Sequence, residues 1–265
     1  MAITTLDGLI AGASQRVSML KTASMTTVAT IPFSPFAQAG NPGAGVLAGT
    51  STTTGVVPTD ATVGCPTIVN FAGGTTGYIS KVEFGSSVAC RITLYDLLWK
   101  GGAYAFNAST TGQTPTSYSS RVLGGTDFTN TELWMEQVTT ATGIQSVNVT
   151  YINQDGTAGR STGTVSQGTA GIVGRMTPLP LQAGDTGVQG VTGVVGSVAT
   201  VGTFNILVMR RLWEGRVRIA NDGDIHDMLK TGLVQIFQDS ALYMVVKADS
   251  TASGIPEVTL EIVSG

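Results

Sequence analysis

Apolar and polar residues alternate along several short segments of the chain, which is the pattern of half-buried β-strands. In residues 77–84 the apolar side chains fall mainly on one face, and Lys81 and Glu83 fall on the other. Residues 88–94 alternate in the same way, and the small residues from Gly85 to Ser87 predict a turn between these two strands. The sequence therefore predicts a β-hairpin in this region.

Further strand-sized segments follow, with turn residues between them. Gly101 and Gly102 predict a break after the first pair of strands, and residues 154–156, Gln-Asp-Gly, predict a second hairpin turn. The other predicted strands cover residues 132–138, 147–151, 160–165, 204–209, 241–246 and 258–262. Many short strands with regularly spaced turns indicate an all-β fold, β-sandwich or jelly-roll-like, with long Gly/Thr-rich loops.

The first 25 residues have a different pattern. Ile3, Leu6, Leu9 and Ile10 recur at helical spacing, which predicts a short amphipathic helix. So short a helix is marginal by itself, and Gly residues weaken it further. We therefore interpret residues 1–25 as an N-terminal helical arm that docks on a neighbour through Leu6, Leu9 and Ile10.

The rest of the chain, residues 26–265, is predicted to be a single all-β domain. Its first part, residues 26–76, is rich in Thr, Gly, Ala and Pro and is interpreted as a long loop. A loop of this length inside a compact domain often belongs to a binding or interface element. A brief helical turn is expected near residues 224–229.

Glycine recurs at every third position from Gly184 to Gly196. Collagen has this period because only Gly fits at the axis of its three chains. Here the repeat is short, and Val rather than Pro fills the intervening positions. A Gly-rich β-hairpin that leads into Phe204 is the favoured interpretation.

Composition limits the possible functions. Charged residues make up 12% of the chain, against roughly 25% in a typical soluble domain. Few side chains are therefore available for acid–base chemistry, and we expect no enzymatic activity and no cofactor. The sequence contains no apolar run of membrane-spanning length and no secretory signal at Met1, so we expect a protein made in the cytoplasm that contacts no membrane.

A net charge of −3 and a pI near 5.1 give no general attraction for nucleic acid. One segment departs from this, because Arg210, Arg211, Arg216 and Arg218 lie within nine residues. These arginines could contact phosphates, but an acidic protein partner is favoured over nucleic acid. The alternative is that they are strand-end arginines, solvated or paired at a subunit interface.

Candidate reactive groups are few. His226 is the only histidine, and no Gly-x-Ser-x-Gly nucleophile motif is present. Asp222, Asp224 and Asp227 could bind a hard cation, but they lack EF-hand spacing and are also typical turn residues. Glu132 and Glu136 could form a carboxylate pair, yet they fall on the polar face of a predicted strand and are expected to be solvated. We expect no catalytic and no metal site, and no disulfide between Cys65 and Cys90.

Three passages resemble a family of tailed-bacteriophage virion structural proteins. They are residues 1–10, the strand pair in residues 76–98 with its Leu94-Tyr95-Asp96 signature, and the Gly/Thr-rich segment 190–205. Together these passages cover 49 of the 265 residues.

The resemblance implies a non-enzymatic component of the virion. The leading hypothesis is a capsid decoration (cement) protein, homotrimeric, that binds the major capsid protein. The docking residues of the arm and the four arginines would make its contacts. A tail or baseplate protein is the nearest alternative, and a host-glycan or receptor-binding module, which would need a concave aromatic-lined site, is a further one.

Overall fold

In a computed structural model, which describes residues 3, 5–168, 171–196 and 201–265, the chain consists of antiparallel strands and two short α-helices. The predicted all-β fold class is confirmed. In chain order the elements are α1 Leu6–Ala11, β1 Ala13–Lys21, β2 Pro32–Phe33, β3 Gly40–Asn41, β4 Ser51–Val56, β5 Gly77–Ser86, β6 Cys90–Ala105, β7 Ser109–Thr111, β8 Thr131–Gln137, β9 Gln145–Asn153, β10 Arg160–Ser161, β11 Val165–Gly168, β12 Met176–Leu179, β13 Val188–Gly196, β14 Thr203–Val217, β15 Asp222–His226, α2 Met228–Thr231, β16 Gln235–Ile236, β17 Leu242–Ala248 and β18 Pro256–Ser264.

The chain divides into two compact units. The first unit comprises residues 1–45, 59–96 and 212–265, and the second comprises residues 46–58 and 97–211. Strands β6 and β14 are long enough to contribute residues to both units. The single all-β domain over residues 26–265 stays a prediction.

The first unit is a two-layer β-sandwich. One sheet has the strand order β15-β5-β18-β1-β3, with β16 also pairing with β5, and the other contains β6, β17 and β2. Alternate residues of β5, β18 and β1 face alternate residues of β6 and β17 across a shared core. Representative members of this core are Val17, Val82, Leu260, Ile92 and Met244.

Part of the predicted N-terminal arm belongs to this sandwich. Strand β1 pairs antiparallel with β18, from Ala13 opposite Ser264 to Leu20 opposite Glu257. Within β1, Val17 and Met19 are buried in the core. The described part of residues 1–25 that precedes the sheet is therefore α1 and its flanking residues, not the whole segment.

The predicted hairpin between residues 77–84 and 88–94 is wrong, although both strands exist. Strand β5 pairs with β18, β15 and β16, whereas the following strand β6 pairs with β17. Gly85 and Ser86 belong to β5, and residues 87–89 carry the chain from one sheet to the other. A bulge in the pairing of β5 with β18 also changes the side-chain phase, so that Ile79 and Val82 are both fully buried.

The strand signature Leu94-Tyr95-Asp96 has a structural role. Asp96 is fully buried, and its carboxylate accepts hydrogen bonds from Ser240 Oγ at 2.8 Å and Ala241 N at 3.1 Å. It thereby fixes the turn that leads into β17. The predicted break at Gly101 is wrong, because β6 continues to Ala105.

The second unit is also a two-layer sandwich. One sheet has the order β10-β9-β13-β7, with β11 also pairing with β9, and the facing layer contains β12, β8, β14 and β6, with β4 pairing with β6. The predicted turn at residues 154–156 is confirmed, because β10 pairs with β9 directly after it. Large aromatic side chains, including Trp99, Phe106 and Phe204, fill much of the core.

Three glycines of the repeat, Gly190, Gly193 and Gly196, lie in strand β13, which pairs antiparallel with β9 and β7. The expected Gly-rich hairpin leading into Phe204 falls in part on residues 197–200, which lie outside the described residues, and β13 and β14 belong to different sheets. Register shifts occur between Val188 and Gly190 and between Val191 and Gly193. Each shift adds one residue, so the core-facing valines recur every third position instead of every second.

The glycines of β13 are needed for close packing. A Cβ at Gly196 would lie 2.4 Å from the Phe106 carbonyl oxygen, and one at Gly190 would lie 2.6 Å from the Pro115 ring. No ordinary side chain fits at these distances. The period of three therefore reflects a bulged strand pressed against its neighbours, not a collagen-like helix.

The segment predicted as a loop, residues 26–76, contains the short strands β2, β3 and β4. Its first part is fixed by Lys21, whose side chain is almost fully buried. The Lys21 ammonium donates to four backbone carbonyl oxygens at 3.2–3.4 Å, those of Phe36, Gln38, Pro42 and Gly43. Burial lowers the pKa of Lys21, and the neighbouring Cys65 opposes that shift.

Candidate interaction surfaces

Helix α1 is the predicted N-terminal helix, and it begins at a local capping signal. The Thr5 hydroxyl accepts a hydrogen bond from Gly8 N at 3.1 Å, and Asp7 lies in the first turn. None of its six residues is buried. Leu6 is 56% exposed and Ile10 is 73% exposed, while Leu9 is partly covered. The helix therefore presents apolar side chains to solvent.

A groove of about 350 Å³ adjoins α1 within the first unit. Leu9, Ile10, Met228 and Val263 supply its apolar surface, and Lys81, Asp227 and Glu261 supply charge. Because Met228 belongs to α2, the groove connects α1 with α2. The next residue of α2, Leu229, is 83% exposed. The sequence analysis did not single out Leu229, because a lone Leu beside a turn has no periodic pattern.

The predicted helical turn at residues 224–229 is only partly correct. Residues up to His226 form strand β15, and the helix α2 starts at Met228. Asp227 caps this helix, since its carboxylate accepts from Leu229 N at 3.1 Å and Lys230 N at 3.2 Å. Asp227 is thus a capping residue, as the turn interpretation of this acidic segment proposed.

The four arginines predicted at an interface differ in exposure. Arg210 is only 8% exposed, and its role at an interface stays a prediction. Alternation along β14 turns Arg211 outward, where it bonds Glu132 at 2.9 Å. Arg216 and Arg218, at the other end of β14, are exposed. Arg216 lies 3.5 Å from Asp249.

Arg216 and Arg218 line a polar pocket of about 630 Å³ in the first unit. Its other charged residues are Arg91, Glu214, Asp222, Asp224 and Lys230. Glu214 bonds Arg91 at 2.5 Å and Thr93 at 3.3 Å. Charges of both signs therefore share the pocket, and several of them already pair with each other.

His226 also lines this pocket, in an arrangement that does not suit general-base catalysis. Its Nδ1 accepts a hydrogen bond from Trp213 Nε1 at 3.0 Å, and its Nε2 lies 3.7 Å from Asp224 Oδ2. Burial lowers the pKa of His226, Lys230 lowers it further, and Asp224 and Asp227 oppose the shift. Nδ1, the nitrogen that would have to accept a proton from a substrate, already accepts the hydrogen bond from the Trp213 indole N–H.

The two candidate glutamates of β8 are not both solvated as expected. Glu132 is half-buried and bonds Arg211 and the indole N–H of Trp134, the latter at 2.9 Å. Glu136 is fully buried and accepts a hydrogen bond from Asn205 Nδ2 at 2.8 Å. The expectation failed because β8 is buried on both faces, so that alternation no longer separates core from solvent.

Potential metal ligands are scattered among the residues that the structure describes. Within the described ranges, no group of three or more His, Cys, Asp or Glu side chains is placed to hold a metal ion. Cys65 and Cys90 are both buried and are not joined by a disulfide. Burial raises the pKa of the Cys90 thiol.

A larger groove, of about 760 Å³, lies in the second unit beside the edge strand β12. Leu133, Leu179, Leu181 and two prolines supply its apolar surface, with Glu132 and Arg211 at the rim. Trp134 is the one aromatic residue among those that line it, and it is only 7% exposed. The groove thus offers little of the aromatic surface that the glycan-binding alternative requires.

The structure also bears on the membrane expectation. Among the described residues, no helix has the length and apolar character needed to cross a bilayer.

Comparison with known proteins gives little further guidance. No protein-family profile matches the chain, and no curated protein matches it. The resemblance to phage virion proteins therefore stays a prediction.

Among solved structures, the chain is similar to the structure of the infectious bursal disease virus Gt strain, with 8% identity and a TM-score of 0.18. That match covers 95% of this chain and 81% of the other. The chain is also similar to the crystal structure of the infectious bursal disease virus VP2 subviral particle, with 10% identity, a TM-score of 0.17, and coverage of 96% and 80%. TM-scores this low do not establish a common fold, so these similarities carry no argument about function.

Proposed function

We propose that this chain is a non-enzymatic structural component of a bacteriophage particle, foremost a capsid decoration (cement) protein that binds neighbouring capsid subunits and stabilises the shell. The observation that carries the proposal is the exposure of Leu6 and Ile10 on α1. The family resemblance of residues 1–10 and the scarcity of ionisable side chains support it.

The proposed mechanism is repeated burial of a small apolar surface. Full burial of a Leu or Ile side chain is worth about 1.5–3 kcal/mol, so one α1 gives a weak contact. In a homotrimer, three copies of α1 would engage the major capsid protein together, and multivalency would raise the overall affinity. Arg211, Arg216 and Arg218 would add polar contacts at the rim, where exposed pairs favour specificity more than affinity.

The direct test is to locate the chain in purified phage particles by cryo-electron microscopy. The proposal expects density for both sandwiches on the outer face of the capsid, beside the major capsid protein. Density at the tail or baseplate would replace the decoration role with the nearest alternative. Absence of the chain from intact particles would overturn the proposal.

A second experiment tests the role of α1. The double variant Leu6→Asp with Ile10→Asp should lose binding to capsid shells that lack the chain, because charged side chains cannot be buried at an apolar contact. Leu123→Asp with Ile144→Asp is the matched control, since these residues of the second unit are 41% and 61% exposed. Equal binding by both double variants would exclude α1 as the docking element.

A further inference from the structure

His226 connects an edge strand to the core of the first unit. It is the only histidine of the chain, and it is the last residue of β15, which lies at the edge of its sheet. Trp213, the donor to His226 Nδ1, is only 5% exposed. The imidazole also packs edge-on against Phe84, with ring centroids 5.0 Å apart.

The hydrogen bond with Trp213 fixes the protonation state of His226. An indole N–H can only donate, so Nδ1 must carry a lone pair and the proton of the neutral ring must be on Nε2. Nε2 is directed towards Asp224, 3.7 Å away. His226 is therefore held as the neutral Nε2–H tautomer.

The charged groups near His226 come from several elements. Strand β15 contributes Asp222 and Asp224, and the α2 cap and helix contribute Asp227 and Lys230. Strand β14 contributes Glu214 and Arg216, Arg218 follows β14, and β6 contributes Arg91. From β5, the residue opposite His226 is the apolar Val82. Glu214 is engaged by Arg91, and Asp224 lies 3.9 Å from Lys230. Asp224 is the nearest carboxylate among those lining the pocket, but it faces Nε2 and not Nδ1, so it does not compensate for a second proton at the nitrogen that meets the indole N–H.

We propose that His226 is a pH-sensitive latch, whose protonation breaks its hydrogen bond with Trp213 and loosens β15 and α2 from the sheet. The added proton must go to Nδ1, which then becomes a donor facing the indole N–H. Two donors cannot bond each other, so the ring must move outward into the polar pocket, towards Asp222 and Asp224.

Protonation of His226 would change the surface formed by β15 and α2. Strand β15 pairs with β5 and with no other described strand, and it carries Ile225, which is 53% exposed. At the far end of α2, the Thr231 hydroxyl bonds the Ile79 carbonyl oxygen at 2.9 Å. Because this second anchor does not titrate, protonation should loosen residues 222–230 without unfolding the unit.

The direction of the pH effect follows from the neutral state of the native ring. The pKa of His226 is lowered in the folded chain, so the unfolded chain takes up the proton first as the pH falls. The stabilisation is complete above the ordinary histidine pKa of about 6.5 and is lost as the pH falls towards the lower native value.

The experiment combines nuclear magnetic resonance with hydrogen exchange. The Cε1–H signal of the single histidine should titrate with a midpoint below about 6.5, and the indole N–H signal of Trp213 should shift in the same transition. Trp213→Phe assigns that indole signal. Protection factors of amides in residues 222–230 should fall on the order of tenfold across the transition, while those of β18 stay constant.

Two variants make the test decisive. His226→Gln retains an acceptor for the indole N–H but cannot titrate, so the transition in residues 222–230 should disappear. Trp213→Phe removes the donor, so the His226 midpoint should rise towards the ordinary value. The latch is refuted if the wild-type histidine titrates while the indole signal and the protection factors stay unchanged. Should His226→Gln fail to fold, an unchanged midpoint in Trp213→Phe refutes it equally.

Discussion

The two units bury cores of equal size in different ways. Each described core cluster contains twenty buried residues, but seven of these are aromatic in the second unit and two in the first. The first unit fills its interior mainly with Val, Ile, Leu and Met from alternating strands. The second unit combines glycine-rich strands with large aromatic side chains. Glycine positions leave space in the core, and a close-packed interior requires that large side chains from neighbouring strands fill it.

The same contrast extends to polar groups. Rings with hydroxyl groups need buried partners, and Tyr118 donates to the Val188 carbonyl oxygen at 2.6 Å. Burial raises the pKa values of Tyr104 and Tyr118. In the first unit, the ion pairs described for Arg16, Lys81, Arg91 and Arg216 all involve partly exposed side chains. The second unit thus relies more on large rings, and the first relies more on apolar alternation, although the first unit also buries Lys21 and Asp96 with hydrogen-bond partners.

Loss of a core ring should have the largest effect. Phe204 is fully buried and stacks on Phe106 with centroids 4.4 Å apart, so Phe204→Ala should lower the free energy of unfolding by about 3–5 kcal/mol. In the aliphatic core, Ile92→Val should cost about 0.5–1.5 kcal/mol. Denaturant titration measures both. A Phe204→Ala cost no greater than that of Ile92→Val would contradict the importance of the rings.

Filling a glycine position in β13 should have the next largest effect. Gly196→Ala places a Cβ 2.4 Å from a backbone oxygen that cannot move away easily. We expect a loss of about 1–3 kcal/mol in the free energy of unfolding, as for other overpacked sites. Gly43→Ala is the control, since nothing lies within 4 Å of its added Cβ, and it should change stability by less than about 0.5 kcal/mol.

Strand β13 also shows how far sequence alone could predict this fold. Strands that alternate cleanly, such as β9 and β18, were predicted from their period of two. The period of three in β13 gave no such signal, because bulges shift the side-chain phase. The pairing partners of the strands could not be predicted either. No local sequence feature distinguishes a hairpin after Gly85 from a connection that crosses to the other sheet.

The candidate site was predicted in part. The short helix α1 and its apolar residues followed from spacing, and the arginine cluster followed from composition, without the difference in exposure between Arg210 and Arg211. The burial of Arg210, Glu136 and Lys21 did not follow, because it depends on segments distant in sequence that cover them. His226 was found as a residue, but its partner Trp213 is visible only in three dimensions.

A partly buried ion pair of the second unit should show a clear acid dependence. Arg160 donates to the Asp185 carboxylate through Nε at 2.8 Å and Nη2 at 2.9 Å, and Tyr151 and Asn153 also donate to it. The hydrogen bonds from Arg160 hold the pKa of Asp185 well below its usual range, and those from Asn153 and Tyr151 add to this. Burial raises the pKa of Tyr151 to about 12, and the interaction with Asp185 contributes to the same shift.

A lowered carboxyl pKa means that the unfolded chain takes up the proton first as the pH falls. The stabilisation from Asp185 is therefore present above the ordinary pKa of about 3.9 and is lost progressively below it. Asp185→Asn should lower stability at pH 7 and flatten this acid dependence, which thermal unfolding between pH 7 and pH 2 measures. An unchanged acid limb in the variant would show that other carboxylates are responsible.

The smallest effect should come from an exposed pair of the first unit. Arg91 is 47% exposed and bonds Glu214, whose side chain is 31% exposed. Water and salt screen such a pair, so Arg91→Gln should lower the free energy of unfolding by only about 0.2–1 kcal/mol, and less as salt rises. Denaturant titration at low and high ionic strength measures the difference. Because Glu214 still accepts from Thr93, removal of Arg91 does not leave an isolated charge in the core. A loss as large as that in Gly196→Ala would mean that surface charge supports the first unit as strongly as close packing supports the second.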